Sequence, residues 1–161
     1  MLPILINNEY SRLRSVLFGT SQSNGPIPLA EDCYDPSSLL HVESGTYPVE
    51  VDMRTEMAAV LEVFEKYEIQ VFRPTVINDY NQIFARDIAF VIEDKLFKSN
   101  ILPDREKEID AIQHVINQVD ESKIIKTSNG IHFEGGDVML WNNHIFIGTY
   151  KGEDYSELIT A

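Results

Sequence analysis

The sequence predicts an α+β fold assembled from repeated ββαβ units, and three observations predict it. The first is a pair of hairpins, each opened by an acid. The later one starts at His132-Phe133-Glu134-Gly135-Gly136-Asp137 and continues through Val138-Met139-Leu140-Trp141, Asn142-Asn143 and His144-Ile145-Phe146-Ile147-Gly148. Asn-Asn suits a two-residue hairpin turn, because asparagine tolerates positive φ. The earlier one starts at Asn81-Gln82-Ile83-Phe84-Ala85-Arg86-Asp87. It runs on through Ile88-Ala89-Phe90-Val91-Ile92, a polar turn at Glu93-Asp94-Lys95, and Leu96-Phe97. The second observation is the spacing: Asp87 opens one hairpin and Asp137 the other, fifty residues on. A self-similar period of that length points to a propeller or an array. The third is that a stretch of helical periodicity and then a short strand precede each hairpin.

Taken in order, Met1-Leu2-Pro3-Ile4-Leu5-Ile6 is apolar but has no basic stretch before it, and is expected to be a strand and not a signal peptide. Asn8-Glu9-Tyr10 leads into a strand at Leu13–Gly19. Residues 20–48 are rich in Ser, Pro, Asn, Gly and Asp, a connection long enough to suggest a functional loop or lid, with room for short helical turns. Val51–Tyr67 is the clearest helix, with Met53, Met57, Val60, Leu61 and Phe64 on one face. Glu68–Arg73 is a short strand ended by Pro74. A second helix starts at Pro103-Asp104, with Asp104 as its N-cap and a stripe of Ile109, Ile112, Ile116 and Val119; His114 falls off that stripe and faces solvent. Lys123–Lys126 is a strand and Ser128-Asn129-Gly130 a turn. Thr149–Ala161 is polar and ends without a closing strand. Gly135-Gly136 can bend sharply and admit a close approach, which would aim the Glu134 carboxylate.

Composition bounds the partners. The chain has 161 residues, 43% hydrophobic and 24% charged, enough for one domain (1–161) with a core. Its formal net charge of −13 argues against nucleic acid or an anionic membrane as partner. No apolar run reaches bilayer length. The single cysteine, Cys33, excludes an intrachain disulfide and fits a reducing cytoplasm. It lies in an acidic loop that disfavours the thiolate, so it is a poor nucleophile. His41, His114, His132 and His144 show no metal-ligand spacing, and neither a metal nor another cofactor is expected.

Asn81, Phe84, Arg86 and Asp87, together with Phe133-Glu134-Gly135-Gly136-Asp137, resemble the paired signatures of the pentein superfamily of guanidino-group modifying enzymes: amidinotransferases, arginine deiminases and dimethylarginine dimethylaminohydrolases. The opening strand is similar as well. The resemblance implies a five-bladed ββαβ propeller, of which this chain would be the N-terminal portion, about three of five blades. It implies covalent chemistry. A cysteine thiolate attacks the guanidinium carbon, an amine leaves, and water or an acceptor amine resolves the amidino-enzyme, with histidine as acid and base. That cysteine and histidine would lie outside this chain, which alone would be inactive.

Residue by residue, the resemblance gives Asp87 the substrate guanidinium. Glu134 would pair with it and help orient the histidine, and Asn81 and Phe84 would line the substrate channel. A planar guanidinium suits two carboxylates on separate rigid turns. Arg105 stands where some members hold the substrate carboxylate; a solvated helix-start arginine is the other reading of it. Asp137 either matches a family acid or only fixes its turn. Amidinotransferase is the leading function, with an arginine-like guanidino substrate. A hydrolase of the deiminase or dimethylaminohydrolase kind, a non-catalytic guanidinium-binding module and a purely structural protein are the alternatives. An incomplete propeller would leave an apolar face open, and a second copy is expected to cover it in a homodimer.

Overall fold

The computed structural model describes residues 1–33, 36–101, 103–127 and 131–149. β1 (Ser15–Leu17) and β2 (Gln70–Phe72) pair in parallel, Ser15 opposite Gln70 and Leu17 opposite Phe72. Parallel neighbours need a crossover. Here it carries a 3-10 turn at Ala30–Asp32, α1 (Pro36–Glu43) and α2 (Glu50–Lys66). One helical turn, α3 (Ala85–Ile88), then leads into the hairpin of β3 (Ala89–Ile92) and β4 (Lys95–Lys98). A second crossover passes through a 3-10 turn at Pro103–Arg105, α4 (Glu106–Ala111) and α5 (Gln113–Ile116), then a 3-10 turn at Glu121–Lys123. It returns as β5 (Ile124–Lys126), parallel to β4, with Leu96 opposite Ile124. A 3-10 turn at Gly135–Asp137 opens the last hairpin, β6 (Val138–Trp141) and β7 (His144–Ile147). The result is a mixed α and β molecule with three small sheets: β1-β2, β3-β4-β5 and β6-β7.

The two crossovers are built alike. Beyond β1, Thr20 bridges Gln82 in antiparallel sense; beyond β4, Asn100 bridges Phe133 in the same sense. Each bridge stands just before an acid turn. Both turns are closed by the same backbone bond, Asp87 N donating to Phe84 O (3.0 Å) and Asp137 N to Glu134 O (3.1 Å). Position for position, the repeat therefore matches Asp87 with Asp137 and Phe84 with Glu134. Both hairpins turn on two residues, and the first of each is left-handed, Glu93 at φ 51° and Asn142 at φ 52°.

The core lies on the second crossover. Its Ile101, Ile109, Ile112 and Ile116 cluster with Ile88 of α3, and Leu17, Ala89 and Ile124 pack against them. Ile112 is wholly buried. The expected stripe of Ile109, Ile112, Ile116 and Val119 is buried throughout and His114 is exposed. The helix that carries the stripe is broken, however. Ile112 lies outside both α4 and α5, and the N-cap of α4 is Arg105, with no side-chain cap bond. Asp104 sits inside the preceding 3-10 turn and is not the cap.

Other expectations are corrected at the edges. The apolar N-terminal run forms no ladder among the described residues; Ile6 makes one isolated bridge, to Glu93, and Leu2 N donates to the Gln118 carbonyl. On α2, Met53, Met57, Leu61 and Phe64 are half-buried, but Val60 is 40% exposed and the helix has no fully buried residue. The long connection contains a two-turn helix, α1, and its start is pinned rather than loose. Asp79 N donates to Ser23 Oγ (3.0 Å), and Tyr80 N to Ser23 O (2.9 Å). The expected turn at Ser128-Asn129-Gly130, and the chain from 150 onward, lie outside the described residues.

Candidate functional site

Asp87 sits in the single turn of α3, and Glu134 is the residue that caps the Gly135–Asp137 turn. The two elements pack against each other, which brings the separate bends of the repeat together. Both carboxylates reach the same nitrogen of Arg105: Nη1 donates to Asp87 Oδ2 (3.1 Å) and to Glu134 Oε1 (3.2 Å). The remaining donors of that guanidinium go to Glu108, three residues on. Nε meets Oε1 at 2.7 Å and Nη2 meets Oε2 at 3.2 Å, a fork-to-fork pair. Arg105 is 17% exposed, so the reading of it as a solvated arginine is overturned. Burying an arginine requires paired carboxylates, and three are supplied.

The electrostatics follow from burial and crowding. Burial works against the Arg105 charge, but the hydrogen bonds and charge of Glu108, then the charges of Glu134 and Asp87, override it and push the guanidinium pKa upward. Burial pushes the Glu134 carboxyl up; Arg105 opposes this, while Asp87, Asp137 and Glu108 add to it. Glu108 is raised by its own burial against the pull of Arg105. Asp137 is raised by burial and then by the charge of Asp87. One guanidinium facing three carboxylates leaves the cluster formally at −2, an environment that favours a further cation.

Two glycines and an arginine lock the bends in place. A Cβ on Gly135 would stand 2.1 Å from the Arg86 carbonyl oxygen, and one on Gly136 would stand 2.5 Å from Asp87 Oδ1. At Gly135 the neighbour is backbone, so only glycine permits the approach; at Gly136 a Cβ would instead displace the Asp87 carboxylate. Arg86 then reaches across: Nε donates to Gly135 O (2.9 Å) and Nη2 to Val138 O (2.5 Å). Its outer edge is held by Glu9, with Nη2 to Oε1 at 2.9 Å and Nη1 to Oε2 at 3.3 Å. Glu9 also accepts from Leu140 N (3.3 Å). Burial raises the Glu9 carboxyl, but the Arg86 and Leu140 bonds outweigh it and hold the carboxyl below its ordinary value. Asn8 shapes the approach by accepting from Tyr10 N and Ser11 N.

The other sequence candidates lie around this centre. Asn81 is exposed and its Oδ1 accepts from Ile83 N (3.1 Å), an Asx turn just ahead of α3. Phe84 is 56% exposed and caps α3. Asp137 accepts from Gly148 N through its backbone oxygen (2.8 Å), tying the ends of the last hairpin. Cys33 follows the Ala30–Asp32 turn and its Sγ donates to Leu29 O (3.4 Å). His132 bonds the Asn100 carbonyl at the Asn100–Phe133 junction (3.1 Å). Glu108, Arg86 and Glu9 were not singled out as site residues from the sequence. Arg86 stands in the Arg-Asp signature, and Glu108 follows Arg105 at the spacing of an ion pair on a helix, so both carried a signal. Glu9 carried none, being 77 residues from Arg86. No group of three or more His, Cys, Asp or Glu side chains suited to a metal ion occurs among the described residues. Nor does a helix there have the length and apolarity to cross a membrane.

No protein-family model matches the sequence, and no curated protein matches it significantly. Solved structures do match. SxtG, an amidinotransferase from Microseira wollei in the saxitoxin biosynthetic pathway, aligns at TM-score 0.64 with 13% identity over 89% of this chain and 54% of its own. The inosamine-phosphate amidinotransferase of Streptomyces griseus aligns at 0.61 with 14% identity over 86% and 53%. A dimethylarginine dimethylaminohydrolase aligns at 0.59 with 12% identity over 84% and 50%. This chain spans about half the length of each. Its fold is therefore that of these amidinotransferase and dimethylaminohydrolase structures, over about half of their length.

Proposed function

We propose that this chain is part of an amidinotransferase acting on an arginine-like guanidino substrate, and that it forms about three blades of a five-bladed ββαβ propeller. Asp87 and Glu134 hold the substrate guanidinium, and Glu134 also orients the catalytic histidine. Phe84 and Asn81 line the approach. The reactive cysteine and histidine come from outside this chain. The thiolate forms a C–S bond to the guanidinium carbon, and the C–N bond to the departing amine breaks as that amine takes a proton. An acceptor amine then displaces the thiolate.

One observation supports this reading above the others. Two carboxylates on separate bends converge on a single guanidinium nitrogen. Calorimetry of the chain with L-arginine tests it: wild type should take up the ligand, and Asp87→Ala should lose most of that binding. Equal heats from the two proteins would overturn the reading. A hydrolase is the second reading, favoured by the likeness to the dimethylarginine dimethylaminohydrolase, nearly as close as that to the amidinotransferases. The complete enzyme, given arginine or dimethylarginine with an acceptor amine, distinguishes them. Ornithine with an amidinated acceptor marks the transferase, citrulline marks the hydrolase, and binding without either product marks a non-catalytic module.

A further inference from the structure

We propose that Arg105 is a resident occupant of the guanidinium subsite: its own head group fills the place between Asp87 and Glu134, and a free guanidinium compound binds by displacing it. This rests on the reading of those two acids as a guanidinium subsite. It adds to that reading a residue that controls entry.

The donors of Arg105 are divided in a way that suits displacement. Nε and Nη2 engage both oxygens of Glu108, a complete bidentate pair for one arginine. Nη1 is left over, and it alone covers both Asp87 and Glu134. Losing those two contacts leaves the Glu108 pair intact, so a cation stays paired while the subsite opens. The charge count agrees. Three carboxylates against one guanidinium leave a formal −2, enough to hold a second cation beside the first.

Exposure gives the direction of entry. The Glu108 side chain is 3% exposed, Arg105 and Asp87 are 17% and 18%, and Glu134 is 33%. The cluster thus opens on the Glu134 side and closes on the Glu108 side. A ligand arrives at Glu134, and Arg105 withdraws toward Glu108. A ligand that binds only the withdrawn state has its affinity reduced by the fraction of chains in that state. Arg105 would therefore set a threshold that a weak or badly shaped cation does not cross.

Calorimetry with methylguanidinium chloride, and with methylammonium chloride as the compact cation control, tests this on the whole chain. Arg105→Ala should bind methylguanidinium about tenfold or more tighter than wild type, the scale of one charge-assisted hydrogen bond released to the ligand. The gain should exceed that for methylammonium and vanish when Asp87→Asn is added. Arg105→Lys keeps the charge but lacks the fork. It should also tighten methylguanidinium binding, which separates shape from charge and decides the matter if the alanine variant does not fold. Wild-type binding that is lost on Asp87→Asn but is not tightened by either Arg105 variant would overturn the proposal and leave the subsite standing. No preference for methylguanidinium over methylammonium in any variant would overturn both.

Discussion

Glu134 is a carboxyl with two opposed demands on it. Burial and the neighbouring Asp87 favour its neutral form, and Arg105 favours its charged one; the balance holds the carboxyl pKa above its ordinary value. Only the ionised form can pair with a cationic ligand. Affinity for methylguanidinium should therefore rise as pH climbs above the ordinary carboxylate range and Glu134 ionises. Stability should run the other way. An acid whose folded pKa lies above its unfolded one stabilises the fold while protonated, so the Glu134 contribution declines over the same rise in pH. Glu134→Gln should weaken both trends, leaving the part of the stability trend that Glu108 and Asp137 contribute, as measured by calorimetry and thermal unfolding across pH 4 to 7 (~3 units, spanning the ordinary carboxylate range). A methylguanidinium affinity that does not change over that range in wild type would remove Glu134 from the site. At this scale the sequence was informative where a residue acts on its own neighbourhood. Gly135 and Gly136 already announced a close approach, and the structure shows what approaches: the Arg86 carbonyl and the Asp87 carboxylate. Arg105 was less legible, because its role depends on three acids of which two come from distant bends.

Elements here are short, and what holds them is mostly not their own propensity. α3 and α5 are single turns of four residues, too short to be stable alone. Packing of Ile88, Ile112 and Ile116 in one cluster supplies what the backbone ladder does not. That explains why the apolar stripe of the second helix was readable and its breaks were not. Periodicity reports which face is buried, whereas the breaks at Pro103–Arg105 and at Ile112 reflect how the chain fits around that cluster. The same limit hid the Glu9–Arg86 clamp. It joins the N-terminal segment to two carbonyls of the last bend, and sequence spacing carries no record of such a contact. Arg86 is thus a positioning residue: it holds Gly135 and Val138, and with them the pitch between Asp87 and Glu134. Arg86→Lys keeps the charge but cannot span both carbonyls and Glu9. It should cost about 1–2 kcal/mol of stability in denaturant titration and weaken methylguanidinium binding severalfold. Glu9→Gln, a change on a partly exposed side chain, should cost less than about 1 kcal/mol. A double-mutant cycle should show the two losses to be coupled. Additive losses would mean that the clamp does not act as a unit.

The whole molecule shows the repeat more clearly than any one hairpin does. Two parallel crossovers, two antiparallel bridges and two acid turns recur in order, which the fifty-residue period had indicated. The last hairpin, unlike the first, is joined by no further strand among the described residues. Val138 and Leu140 point into the molecule and are buried, but Met139 and Trp141 on the other face of β6 are exposed, and so is all of β7. Ile145, Phe146 and Ile147 add to that apolar surface. A two-stranded sheet with a bare apolar face, and an edge that no described residue pairs, is a surface prone to association. A second copy, the partner expected from the sequence, would cover it. Sedimentation velocity of the chain at rising concentration should then show a monomer giving way to a dimer, with Trp141 fluorescence shifting to shorter wavelength as the ring leaves water. Phe146→Lys places a charge at the middle of that surface. It should abolish the dimer while leaving the monomer's thermal midpoint within a few degrees, about the effect of a surface substitution. A chain that stays monomeric at the highest concentration, with its Trp141 emission unchanged, would show that this face does not pair with itself.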